Sequence, residues 1–207
     1  MASLIDISPL VSPRIAVWPG DTPFQRTVNL SIAAGANLEL SHITGTVHLG
    51  AHADAPSHYV HPGEDIAQRS LDRYYGPCQV MAVRATPGAR LYPSDLTGPI
   101  TAPRLLLHTG SFPDPDHWNT DFCSLSPALV TFLHARGVGL VGIDTPSIDP
   151  FDSKALESHA AVAACDMAIL EGLVLSHVAD GAYTLVALPL RIEGADASPV
   201  RAALIPG

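Results

Sequence analysis

Short apolar runs alternate with turn residues along this chain, and few of the runs are long enough to make a helix. β-Branched or continuously apolar character between turn residues predicts strands over 4–7, 29–32, 39–47, 78–84, 104–108, 139–143 and 183–188. Two helices are expected. The segment 126–136 has Pro127 in its first turn and Gly137 just past its end, and 153–164 begins behind a serine able to cap it. With 139–143 following, the region from Ser126 reads as helix, turn and buried strand. Nineteen prolines and sixteen glycines punctuate the rest, which leaves room for strands and turns rather than long helices. The expectation is therefore a small, β-rich α/β fold. No repeat, low-complexity tract or linker divides the chain, so 1–207 is expected to form a single domain. The stretch 109–123, rich in proline, aspartate and aromatics, either borders a site and moves or is inert surface.

Composition narrows the picture. Apolar residues make up 47% of the 207 and charged ones 15%, against about 25% charged in ordinary soluble proteins. That leaves more apolar surface than a small monomer hides, so a homo-oligomer is expected. A formal net charge of −9 with no run of Lys or Arg supplies no patch for phosphates, and no nucleic-acid partner is expected. The first nine residues carry Asp6 and no basic residue, unlike a secretory signal. The apolar stretch 160–170 is broken by Asp166, short of the roughly 18 residues of a membrane helix. No membrane partner and a cytoplasmic location are the expectations. Cys78, Cys123 and Cys165 are odd in number and never spaced as Cys-x-x-Cys, which suits free, buried thiols in a reducing compartment.

The chemistry concentrates in one place. Five of the ten histidines (His42, His48, His52, His58 and His61) fall within twenty residues. Its centre reads His48-Leu-Gly-Ala-His52-Ala-Asp54-Ala-Pro-Ser-His58, with all four potential ligands at even positions and so on one face of an extended chain. A straight strand rises about 3.3 Å per residue and would set His48 and His52 roughly 13 Å apart, so the chain must bend. Gly50 and Pro56 permit that bend. Imidazoles and a carboxylate without nearby cysteine suit zinc or another first-row divalent ion with coordination positions left open. Water in such a position can fall from pKa 15.7 to about 7. His58, beyond Pro56, can be a further ligand or a proton shuttle, with the shuttle preferred. His42 and His61 lack comparable placement and read as surface or core residues.

The pattern His48-x-Gly50-x-His52-x-Asp54-x-Pro56-x-His58 resembles the signature of the cyclase-like metal-dependent hydrolase family. The segments 6–9 and 18–23 near the start, with 170–175, 187–190 and 194–201 near the end, are similar to its formamidase branch. What the resemblance implies is a β-rich α/β domain of the swivelling β/β/α type, assembled as a homodimer, with two zinc ions per subunit; manganese or another divalent ion is the alternative. His48, His52 and Asp54 would hold one ion, and Asp54, His159 and Glu171 the second, with Glu171 touching both. His58 would transfer protons and Trp18 would line the substrate pocket. The implied reaction is hydrolysis of N-formyl-L-kynurenine to L-kynurenine and formate. Read alone, His159 is an ordinary helical residue and Trp18 an ordinary core aromatic. Glu171, flanked by apolar residues 168–170 and 173–175, is drawn toward surroundings where a carboxylate needs a partner. A related hydrolase of another aryl formamide or of a cyclic amide, and a non-catalytic metal-binding domain, are the competing readings.

Overall fold

The computed structural model describes residues 3–207. Met1 and Ala2, the start of the segment read above for targeting, lie outside the described residues. Along the chain the strands are β1 (Ile5–Asp6), β2 (Gln25–Leu30), β3 (Leu40–Thr44), β4 (His52–Asp54), β5 (Tyr75–Ala82), β6 (Arg90–Leu91) and β7 (Arg104–His108). After them come β8 (Ser124–Leu125), helix α1 (Pro127–His134), β9 (Leu140–Ile143), helix α2 (Glu157–Ala164), β10 (Ala168–Glu171), β11 (Gly181–Val186), β12 (Ala197–Pro199) and β13 (Ala203–Pro206).

Nine strands form one mixed sheet in the order β1-β13-β11-β5-β7-β9-β10-β4-β12. Its centre, β5 to β10, is parallel, and both flanks are antiparallel. Helices α1 and α2 lie in the connections between parallel strands. Both faces of the centre are covered, so the middle of β7, Leu105 to Leu107, is continuously apolar rather than alternating. Leu105 and Leu107 pack with Val141, Ile143 and Ile169 against Leu129, Val130 and Leu133 of α1. Leu106, Leu140 and Leu170 face the opposite way, into a core with Val80, Leu185, Ala51 and Ala53. Each such buried leucine contributes about 1.5–3 kcal/mol relative to exposure.

The sheet-rich α/β architecture agrees with the sequence reading, and α1 has the expected punctuation. Ser126 Oγ accepts from the Leu129 amide at 3.1 Å, Pro127 opens the first turn and Gly137 follows in the left-handed region at φ 81°. The second helix starts later than predicted. Leu156 sits at φ 46°, which breaks the helix, and Ser153 Oγ accepts from the Leu156 amide at 3.2 Å in a turn. The strand predicted over 29–32 lies instead at β2, and 32–34 form a 3-10 turn. Strands β4, β6, β8, β10, β12 and β13 fall outside the predicted set. Strands β2 and β3 pair as a separate hairpin with every residue exposed. No helix among the described residues is long and apolar enough to cross a membrane. The three cysteines are free, two of them buried, and burial pushes the Cys78 thiol up to about 12 against the pull of Arg104.

Candidate active site

Strand β4 runs between β10 and β12, and this placement assembles the site. Ala51, Ala53 and Ala55 enter the core on one face, while the alternating His52 and Asp54 point to the face that carries the helices. The β10 register sets Glu171 opposite His52 and Ile169 opposite Asp54, so Glu171 shares that face. The His52 Nδ1–H donates to the Gly50 carbonyl at 2.9 Å. That fixes the tautomer and turns Nε2 toward Asp54 Oδ1 (3.4 Å) and Glu171 Oε2 (3.3 Å).

The bend demanded by the sequence occurs at Gly50, in the left-handed region at φ 57°. It folds His48 back until its Nδ1 is 3.1 Å from Asp54 Oδ1. Pro56 starts a 3-10 turn, Pro56–His58, which brings the His58 ring within 4.2 Å of the His48 ring, centroid to centroid. Helix α2 delivers His159, whose Nε2 is 3.4 Å from Asp54 Oδ2 and 3.6 Å from Glu171 Oε1. The six titratable residues singled out by the sequence therefore meet in one cluster. Nitrogen and oxygen atoms of His52, Asp54 and Glu171, and those of His48, Asp54 and His58, come together closely enough to share an ion.

His52, Asp54, His159 and Glu171 are all buried. Despite the short distances, His52 Nε2 and both Asp54 oxygens have no hydrogen-bond partner. Leaving such groups unpaired costs about 1–3 kcal/mol each, and more when they carry charge. A divalent cation held between them would give these atoms partners, and the donor set of imidazoles and carboxylates fits one. The two carboxylates are held ionised, as metal ligands must be. Burial opposes ionisation of Asp54, but His159 and His48 outweigh it and hold the carboxyl well below its ordinary range. Glu171 is lowered too, with burial and Asp54 resisting and His159 and His52 prevailing. Burial likewise disfavours a charged His48, yet Asp54 and Asp196 raise it to about 9, and Asp149 with Asp54 raises His159.

Two supporting carboxylates escaped the sequence reading. Asp149 Oδ2 accepts from His159 Nδ1 at 2.8 Å and from the His159 and Ser158 amides at 3.1 Å. These bonds overcome burial and hold the Asp149 carboxyl at about 2. Asp196 Oδ2 lies 3.0 Å from His48 Nε2 and 3.2 Å from His58 Nδ1. Asp196 stands inside the tail segment 194–201 that was noticed as a whole, and no spacing in that segment singles it out. His42 stays on the hairpin, bonded to Asn29 at 2.9 Å, and His61 is exposed; neither joins the cluster.

Above the cluster opens a cavity of about 500 Å³. His48, His52, His58, His159 and Glu171 form one side, and Trp18, Phe112 and Trp118 form aromatic walls. The stretch 109–123 thus borders the site through Phe112 and Trp118. The Trp18 and Trp118 rings meet edge to face, 5.2 Å apart at 74°, an arrangement favoured by the ring quadrupoles.

Fold and site define a class, a β-rich α/β domain whose buried histidine and carboxylate cluster lies beneath an aromatic pocket. The chain belongs to the Cyclase family, the match spanning residues 5–150. The match includes His48, His52, Asp54 and His58 and ends before His159, Glu171 and Asp196, which join the site through geometry. A solved structure described as a potential metal-dependent hydrolase with cyclase activity is 25% identical, with 99% of this chain and 98% of that one covered and a TM-score of 0.84. A predicted metal-dependent hydrolase from Bacillus stearothermophilus is 23% identical over 99% and 98% of the two chains, at a TM-score of 0.79. Isatin hydrolase A from Labrenzia aggregata is 21% identical over 99% and 94%, at a TM-score of 0.81.

Proposed function

We propose that this protein is a metal-dependent amide hydrolase acting as a kynurenine formamidase (arylformamidase), which cleaves N-formyl-L-kynurenine to L-kynurenine and formate in tryptophan degradation. The observation that carries this reading is the set of buried, unpartnered atoms of His52 and Asp54 at the foot of an aromatic-walled cavity. His48, His52 and Asp54 would hold one divalent ion, and Asp54, His159 and Glu171 a second, with Glu171 in reach of both. Zinc fits these donors best, with manganese the alternative. Ions held there supply positive charge that polarises a carbonyl and acidifies a water.

The chain's own residues do the rest. His58 Nδ1 is engaged by Asp196, which leaves Nε2 to take a proton from the attacking water. The water oxygen bonds to the formyl carbon, the carbon–nitrogen bond breaks, and His58 returns the proton to the departing aryl amine. Trp18 offers a face on which the aryl ring stacks. Asp149 and the Gly50 carbonyl hold His159 and His52 in orientation. A homodimer is part of this reading. Val28, Leu30, Leu40 and Ile43 of the hairpin are each more than 40% exposed, and a two-stranded hairpin is marginal in water without cover.

A second reading is favoured by the isatin hydrolases among the similar structures: the same machinery would open an amide fused to an aryl ring. Parallel assays on N-formyl-L-kynurenine, formanilide and isatin separate the two. A higher kcat/KM on the open-chain formamides supports the formamidase, and turnover of isatin alone overturns it.

A further inference from the structure

We propose that Asp21 is a specificity-determining residue whose carboxylate, at the mouth of the aromatic cavity, receives the ammonium group on the side chain of an aryl substrate. The inference rests on reading the cavity as an aryl formamide site. Trp18 and Asp21 are the two ends of one tight turn: the Asp21 amide donates to the Trp18 carbonyl at 2.9 Å, and Gly20 between them takes φ 95°, a conformation natural to glycine. Both residues line the cavity, so a ring stacked on Trp18 has its substituents within reach of Asp21.

The other charged groups lining the cavity are committed elsewhere. The Asp144 oxygens accept from the Thr109 and Gly110 amides at 3.0 and 2.8 Å and from the Thr109 hydroxyl at 2.7 Å. Glu171 and the four histidines belong to the histidine and carboxylate cluster. Asp21 is exposed, and its one side-chain hydrogen bond is that of Oδ1, which accepts from the Thr22 amide at 2.6 Å. No Lys or Arg is among the described residues that line the cavity, in a chain of formal charge −9. Away from the histidine and carboxylate cluster, an anionic group on the substrate finds no Lys or Arg to pair with, whereas a cationic one finds Asp21. In this exposed setting a single charge-assisted contact changes affinity by about fivefold.

The test is calorimetric titration of the zinc-loaded protein and its Asp21→Asn variant with three ligands sharing one ring and ketone. L-Kynurenine carries both ammonium and carboxylate, 4-(2-aminophenyl)-4-oxobutanoate the carboxylate alone, and 2-aminoacetophenone neither. Asparagine keeps the acceptor for the Thr22 amide and removes the charge. The expected result is that L-kynurenine binds about fivefold more tightly than the carboxylate-only ligand. Asp21→Asn should erase that difference and leave 2-aminoacetophenone unchanged. Equal weakening of all three ligands by the substitution, no preference in the original protein, or no binding at all would overturn the proposal. Formamide hydrolysis is assayed on the same preparations: failure there removes the formamidase reading, and the binding order still decides the role of Asp21.

Discussion

Glu171 stands directly across from His52 in the antiparallel pairing of β10 with β4, and Glu171 Oε2 comes within 3.3 Å of His52 Nε2. Distant parts of the chain thus meet through backbone register, and the site is only as well defined as that register. Glu171→Gln keeps the volume and the Ile148 amide contact at Oε1 while removing a charge shared by the proposed ions. We expect bound metal to fall by half or more and turnover to drop by about a hundredfold or more, with circular dichroism unchanged. Metal analysis alongside kinetics checks this. Full metal content with full activity would exclude Glu171 as a ligand.

Gly172 locks the same register. It sits at φ 64°, and an added Cβ would lie 2.1 Å from the Gly50 carbonyl oxygen, the acceptor that orients His52. Gly172→Ala must therefore spread β4 from β10 as well as strain its own backbone. The expected cost is about 3 kcal/mol of stability, combining strain and overpacking, with loss of metal binding. Thermal unfolding with and without zinc measures both. A stability change under about 0.5 kcal/mol, the range of a neutral surface substitution, would show that the close approach matters little.

His58 is assigned to proton transfer, so His58→Ala should lower kcat by about a hundredfold or more while metal content stays intact. Asp196→Asn, which alters the partner of His48 and His58, should give a smaller loss. Metal lost together with activity in His58→Ala would make His58 a ligand instead.

Away from the site, Asp166 takes part in an ion network with Arg73 at 2.6 Å and Arg69 at 3.2 Å. Burial resists ionisation, but the two guanidinium groups together prevail and hold its carboxyl below the ordinary 3.8. The folded state then binds this proton less readily than the unfolded chain. The stabilisation is complete above the ordinary value and disappears as pH falls through the lowered one. Asp166→Asn suits the test because asparagine tolerates the φ of 47° found there. Since Asp166 is largely exposed, the loss at pH 7 should be about 1 kcal/mol or less. Thermal unfolding of the chelated proteins from pH 7 to 2 should show the gap closing only below about 3.8. A constant gap would assign the effect to the backbone.

The parts of the structure written in short-range pattern were legible in the sequence. Ser126, Pro127 and Gly137 delimit α1 locally, and the even spacing of His48, His52, Asp54 and His58 with a bend at Gly50 foretold one face and one turn. Elements that depend on distant partners were harder to read. Residues 168–171 carry no alternation, because both faces of β10 are buried, so the face that Glu171 takes could not be read from its neighbours. Strand β12 is three residues long and contains Pro199; it exists because β4 offers an edge. Asp196 acts on histidines 148 and 138 residues away, and Asp149 reaches His159 across the break before α2, so no regular local period marks either contact. The role of 109–123 was left open for the same reason: Trp118 and Phe112 become pocket walls only when Trp18 arrives from the other end of the chain.

The central claim is tested most directly by following the hydrolysis of N-formyl-L-kynurenine by absorbance, with the protein as purified, after chelation, and after zinc is restored. The account predicts activity that vanishes on chelation and returns with zinc. Activity indifferent to the chelator, or none in the zinc-loaded protein, would contradict it.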